Sequence, residues 1–158
     1  MLNLKTTSPE ETFSFGQCLA KVLGPGLVVC LAGDLGAGKT LLVQGLAKAL
    51  GVEDTINSPT FTILNVYEAS FPIYHFDLYR LEYAEELFDI GFYEYTEGQG
   101  LSIIEWPDKF PGELPDEYLW IDVKSGNNID ERILHVAARG TVYEHICEEL
   151  KQTCPFLL

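Results

Sequence analysis

The chain has 158 residues, 47% of them hydrophobic and 22% charged, the balance of one globular domain and not of a disordered tail. Its 10 Lys and Arg against 24 Asp and Glu give a net charge of −14, which argues against unaided binding to nucleic acid or to an anionic membrane. No apolar run reaches bilayer length, no basic segment with an apolar core opens the chain, and Cys18, Cys30, Cys147 and Cys154 show no C-x-x-C pairing. Reduced thiols and a cytoplasmic location are therefore expected.

The first predicted element is a helix, with Ser8 as cap, Pro9 at the first helical position and Glu11 three residues after the cap. Phe13, Gly16, Leu19, Ala20 and Leu23 form its inner stripe, and Gly24-Pro25-Gly26 stops it. Residues 27–32 are continuously apolar, the pattern of a central α/β strand covered on both faces. A glycine-rich turn follows, then a helical pattern over residues 41–50 that Gly51 can close in a left-handed conformation. Residues 61–67 and 71–77 are rich in β-forming side chains and joined by Glu68-Ala69-Ser70, which predicts an antiparallel hairpin. Residues 101–104 read as another buried strand, residues 118–124 and 132–138 as two more, and residues 141–151 as a closing helix with Thr141 near its cap. The pattern over residues 1–158 is that of a single α/β domain, without repeat or linker.

Gly33-Asp34-Leu35-Gly36-Ala37-Gly38-Lys39-Thr40 matches G-x-x-x-x-G-K-[ST] after a predicted strand and before a predicted helix, the context a phosphate-binding loop requires. Its glycines permit a backbone whose N–H groups converge on a phosphate at a helix N-terminus. Lys39 is then expected to bridge the β- and γ-phosphates of ATP or ADP, and the Thr40 hydroxyl to ligate magnesium. Such a site needs a carboxylate at the end of a neighbouring buried strand, and Glu105, directly after residues 101–104, is placed for it. Trp106 next to it either walls the nucleotide pocket or fills core.

Alternation in a strand puts His75 and Asp77 on one face, so Asp77 is a candidate to orient or deprotonate the attacking water and Arg80 to neutralise phosphate charge. Taken without a family, a structural Asp77–Arg80 salt bridge is slightly favoured, and His75 reads first as a structural histidine. His135 and His145 lack partners at metal-ligand spacing. Asn57-Ser58-Pro59-Thr60-Phe61 lies where nucleotide-binding folds place a segment sensitive to the γ-phosphate, although its composition is that of a plain Ser-Pro turn.

Together, loop 33–40, Ser58-Pro59-Thr60-Phe61, His75-Phe76-Asp77-Leu78-Tyr79-Arg80 and Ile104-Glu105-Trp106-Pro107 resemble the TsaE (YjeE) family of small bacterial P-loop ATPases, in correct order from about Thr6 to about Asp108. The resemblance implies a P-loop NTPase-like fold, a mainly parallel sheet flanked by helices with an antiparallel edge or hairpin. It implies weak magnesium-dependent ATP hydrolysis in support of TsaB and TsaD, which make N6-threonylcarbamoyladenosine in tRNA. By that likeness Lys39 and Thr40 serve phosphate and magnesium, Glu105 is the second metal contact, Asp77 acts in hydrolysis, Ser58 to Phe61 form a switch-like loop, and Thr7 touches adenine or ribose.

The charge adds an independent step: a factor at −14 is a poor tRNA binder, so its partners should hold the RNA. No Lys or Arg falls between Arg80 and Lys109, where Glu82, Glu85, Glu86, Asp89, Glu94, Glu97, Glu105 and Asp108 lie. Residues 82–97, with Tyr83, Phe88, Phe92, Tyr93 and Tyr95 among the carboxylates, are a candidate protein contact or equally a solvated face over satellite core aromatics. Two other functions remain open. A small-molecule or nucleotide kinase would use the same loop, but only Arg80, Arg132 and Arg139 are available to clamp a second substrate. A non-enzymatic nucleotide switch is the other, without the Asn-Lys-x-Asp motif that reads guanine.

Overall fold

The two runs of unbroken apolar sequence form the centre of the sheet in the computed structural model, which describes residues 1–59 and 61–158. Strands β2 (Val28–Ala32) and β5 (Leu101–Glu105) are buried at every position and pair in parallel. Both faces of these strands are covered, so neither needs polar alternation. Strand β6 (Tyr118–Ser125) joins β2 in parallel on one side, and β4 (Pro72–Asp77) joins β5 in parallel on the other.

Antiparallel pairing extends both edges. The expected hairpin is present as β3 (Leu64–Glu68) with β4, while β7 (Arg132–Arg139) pairs with β6 and then with β1 (Leu2–Thr6). The described residues thus form a seven-stranded sheet in the order β1-β7-β6-β2-β5-β4-β3, an α/β fold with a parallel centre and antiparallel margins. The C-terminal tail covers the outer edge of β1: Lys5 N–H donates to the Phe156 carbonyl and Leu158 N–H to that of Asn3, each at 2.9 Å. An open strand edge is thereby paired instead of left as a template for another chain.

Helices α1 (Pro9–Ala20), α2 (Lys39–Ala49) and α5 (Thr141–Thr153) lie over one face, where Phe15, Leu19, Leu42, Leu46, Ile103 and Leu150 form the main core. The Tyr143 hydroxyl on α5 accepts the Val28 N–H at 2.8 Å and ties that helix to the central strand. Short helices α3 (Glu85–Asp89) and α4 (Phe92–Thr96) close the other face around Val28, Cys30, Phe76, Leu87, Phe92 and Ile104. Helix α1 starts as its sequence predicts, with the Ser8 hydroxyl accepting the Glu11 N–H at 3.1 Å. It crosses α2 so closely that a Cβ at Gly45 would sit 2.0 Å from the Phe13 carbonyl oxygen. No helix among the described residues is long and apolar enough to cross a membrane, and the four cysteines are free thiols.

Candidate functional site

Sheet register brings three strand ends to one edge. Leu31 pairs with Glu105, and Glu105 pairs with Asp77, so the C-terminal ends of β2, β5 and β4 lie side by side. In open α/β sheets a ligand crevice forms at that edge. The chain leaves β2 through residues 33–38 and enters α2 at Lys39.

The loop depends on glycine. Gly33, Gly36 and Gly38 have φ of 141°, 78° and 102°, a region that L side chains rarely enter. A Cβ at Gly33 would also lie 2.4 Å from the Val123 carbonyl oxygen. Gly38 caps α2 in the left-handed conformation, and its carbonyl accepts the Leu42 N–H at 3.1 Å. The N–H groups that precede Leu42 in the first turn have no acceptor within the helix and are available to an anion.

Behind the loop stands Arg132, a residue the sequence reading left without a role. Its Nε donates to the Ala37 carbonyl at 2.8 Å, while Nη1 donates to the carbonyls of Ile129 at 2.8 Å and Glu131 at 2.9 Å. The guanidinium therefore fastens the loop to the start of β7. Nothing in the sequence near position 132 signals this, because the contact spans 95 positions and arises from sheet order alone.

In front of the loop is a cavity of about 330 Å³. Its walls are the loop residues Leu35, Gly36, Gly38, Lys39 and Thr40, the helix residues Leu41 and Gln44, and Ser58, Asp77, Glu105 and Trp106. Gly33, Asp34 and Ala37 line a second cavity of about 310 Å³ between the loop and the end of β6. Thr7 lines neither; it is exposed at the end of β1, where its N–H and hydroxyl both donate to Glu11 Oε2, at 2.6 and 2.9 Å.

Lys39 is 5% exposed, and its Nζ donates to the Gly33 carbonyl at 2.6 Å. The same amine lies 3.8 Å from Glu105 Oε1 and 4.3 Å from the centre of the Trp106 ring. Burial lowers its pKa from the ordinary 10.5, against the pull of Glu105 and, more weakly, of Asp77, Asp108 and Asp34. Glu105 is 3% exposed and takes His75 Nε2 on its other oxygen at 2.6 Å. Trp106 sits at φ 57° just before Pro107, a backbone state disfavoured for both reasons, and its ring packs on Tyr79 at 4.8 Å between centroids. It lines the cavity and also packs against the smaller core, so it serves both readings offered by the sequence.

Asp77 is 2% exposed, and its Oδ1 accepts the Tyr79 N–H at 2.9 Å. The salt bridge favoured from sequence alone is not formed: among the described residues no ion pair joins Asp77 to Arg80, whose guanidinium lies over the exposed Phe61 ring at 5.5 Å. Of the switch-like segment, Ser58 reaches the cavity, Pro59 is buried and Thr60 lies outside the described residues. The segment rejoins the sheet at Ile63, a β-branched residue at φ 67°, whose carbonyl accepts the Asp77 N–H at 2.8 Å. A branched side chain in that region stores strain of about 1–3 kcal/mol, beside a residue of the cavity. For this reason residues 61–63 do not extend β3 as predicted.

The acidic segment divides into core and surface. Phe92 is fully buried and meets Phe76 edge-on at 5.1 Å, and Tyr95 packs on Tyr74 at 4.6 Å. Tyr83 and Phe88 stay 65% and 69% exposed beside Glu85 and Asp89. Glu86 has a structural task, since its Oε2 accepts the N–H groups of Glu82 and Tyr83, which holds its carboxyl below the ordinary range. His135 Nδ1 meets Asn3 Oδ1 at 2.6 Å, and no group of three or more His, Cys, Asp or Glu suited to a metal occurs among the described residues.

Loop and sheet define the class: an α/β protein whose glycine-rich loop links a central parallel strand to a helix at the crevice edge. Comparison with known proteins carries this to a family. The family model described as threonylcarbamoyl adenosine biosynthesis protein TsaE matches residues 6–134, and the chain belongs to this family. A tRNA threonylcarbamoyladenosine biosynthesis protein TsaE of Bacillus subtilis is 43% identical over 152 residues, 96% of this chain and 94% of that protein. The protein of that name from Treponema pallidum is 43% identical over 117 residues, covering 74% and 87%. The crystal structure of Bacillus subtilis YdiB superposes with a TM-score of 0.83 at 38% identity, over 96% of this chain and 94% of that one.

Proposed function

We propose that this protein binds ATP with magnesium at loop 33–40, hydrolyses it slowly to ADP and phosphate, and so supports formation of N6-threonylcarbamoyladenosine in tRNA, in the cytoplasm and together with TsaB and TsaD. The biological end rests on family membership and on the names of the relatives. The chemical part rests on one observation: Gly36 and Gly38 of the loop, Lys39, Thr40, Asp77 and Glu105 all line a single cavity of about 330 Å³.

The residues suit magnesium. The Thr40 hydroxyl and the Glu105 carboxylate are hard oxygen donors on the same cavity, and the described residues hold no group of three or more His, Cys, Asp or Glu suited to a metal. Magnesium is held in this way, by one or two protein oxygens with water and phosphate completing the set, and it would neutralise charge on the β- and γ-oxygens. Lys39 exchanges the Gly33 carbonyl for the phosphates, keeping its charge in a site that otherwise penalises it. The first-turn N–H groups of α2 bind the β-phosphate. Asp77 orients the attacking water, and Trp106 walls the pocket against solvent.

Kinase chemistry is disfavoured because none of Arg80, Arg132 and Arg139 lines the cavity where a second phosphorylated substrate would need clamping. The net charge of −14 leaves the RNA to the partners, and α3 with exposed Tyr83 and Phe88 is the proposed protein contact. Calorimetry with Mg-ATP and phosphate release without added acceptor test the reading. Lys39→Ala should abolish tight binding, and Asp77→Asn should bind ATP yet release phosphate at least tenfold more slowly. A wild-type protein that gives no heat with Mg-ATP would refute the proposal.

A further inference from the structure

His75 is fully buried, yet its ring has one polar partner. It sits on β4 between Ile103 of β5 and Asn65 of β3, with the Tyr67 ring 6.1 Å away. Nε2 lies 2.6 Å from Glu105 Oε2, and Nδ1 has no hydrogen-bond partner among the described residues. A carboxylate oxygen only accepts, so Nε2 carries a proton and donates it, while Nδ1 is left unmatched. A ring buried for packing alone would be better served by an apolar side chain of the same volume, because an unmatched buried nitrogen costs about 1–3 kcal/mol.

The bond selects where Glu105 points. Glu105 has two attractions, the His75 N–H on Oε2 and the Lys39 ammonium 3.8 Å from Oε1. Lys39 and Glu105 are both 5% or less exposed, a setting where a contact between lysine and carboxylate would tighten if nothing opposed it. Such a collapse would take the lysine from the phosphates and the carboxylate from the cavity together. We propose that His75 is a positioning residue: it holds Glu105 by Oε2, keeping Oε1 directed to the cavity and Lys39 free to serve the nucleotide. This rests on reading Glu105 as the carboxylate on the magnesium side. Partners one shell out from a metal commonly act in this way, and their loss costs about 10–100-fold in metal affinity.

The test is Mn2+ binding to the ADP complex, read by electron paramagnetic resonance, for wild type, His75→Leu and His75→Gln. Leucine fills the space without a donor, while glutamine can place an amide N–H where Nε2–H stood. His75→Leu should bind Mn2+ about tenfold or more weakly, with His75→Gln restored to within about threefold of wild type. ADP affinity without metal should also fall in His75→Leu, because Lys39 is then drawn onto Glu105, and should return towards wild type in His75→Gln. If His75→Leu does not fold, His75→Asn, whose shorter amide falls short of Glu105, takes its place with the same expected loss. Equal Mn2+ affinity in wild type and in His75→Leu would overturn the proposal, as would equal losses in the leucine and glutamine variants. A wild type that binds no Mn2+ with ADP overturns the nucleotide-site reading itself, an outcome distinct from both.

Discussion

Replacing Arg132 by Met removes the guanidinium that fastens the glycine-rich loop while keeping an unbranched stem of similar length. Of the three carbonyls it serves, those of Ile129 and Glu131 belong to its own approach to β7, and the Ala37 carbonyl alone belongs to the loop. A net hydrogen bond from a charged donor is worth about 1.5–3 kcal/mol, and for a half-buried side chain the lower end applies. If that bond serves to hold the loop in its binding shape, its loss weakens Mg-ADP by about 1.5 kcal/mol, or roughly tenfold. Isothermal titration of Mg-ADP into the variant measures this directly, and a urea melt of the free protein separates it from loss of fold. Arg132→Met that binds Mg-ADP within about twofold of wild type would show that the loop holds its shape without the clamp, and the argument would fail.

Three further outcomes follow from the same geometry. Gly45→Ala should destabilise the protein by about 1–3 kcal/mol in chemical denaturation, although alanine favours a helix by about 1 kcal/mol, because its Cβ meets the Phe13 backbone; a stabilised variant would contradict the close crossing. Lys39 has a folded-state pKa below its unfolded 10.5, so its burial penalty is full below the depressed value and is relieved as the pH rises past it towards 10.5. Wild type should therefore gain stability on Lys39→Met across that range, and a flat difference would exclude the burial argument. Chelating magnesium should weaken ATP binding by about tenfold or more, since four carboxylates act on the one lysine of the site; equal affinity with and without metal would count against a metal contact at Glu105.

Local chemistry made much of this legible in advance. The glycine spacing of residues 33–40 forces positive φ, and the apolar runs at residues 27–32 and 101–104 have only one comfortable place, the centre of a sheet. The period-two alternation of residues 71–77 put His75 and Asp77 on one face, as the structure does. Strand β1 was missed, although Leu2, Leu4 and Thr6 alternate with exposed or half-buried Asn3 and Lys5, because five residues make a weak pattern beside a strong helix cap. Arg132 behind the loop and Glu105 on His75 were not legible at all: both depend on which strands become neighbours, information that no short window contains. Arg80 was misassigned because proximity in sequence favours pairing with Asp77, whereas the turn after β4 sends the guanidinium over Phe61.

The charge of the site argues for how it is controlled. Lys39 feels Glu105, Asp77, Asp108 and Asp34, so a polyphosphate entering this cavity meets more like charge than opposite charge from side chains. Backbone N–H groups offset part of that, but their partial charges fall off within the first helical turn. On the proposed reading the remaining repulsion would be met by cations brought to the site, first with the nucleotide and then from a surface covering the cavity, whose lining residue Leu35 stands 67% exposed. Among the described residues Lys39 is the one cation lining the cavity, with Arg80 engaged on Phe61, Arg132 behind the loop and Lys109 held on the Tyr79 carbonyl. On the proposed reading, the site's own electrostatics would keep hydrolysis slow in the isolated protein, and a basic partner surface over the cavity would be the physical means of tying turnover to assembly.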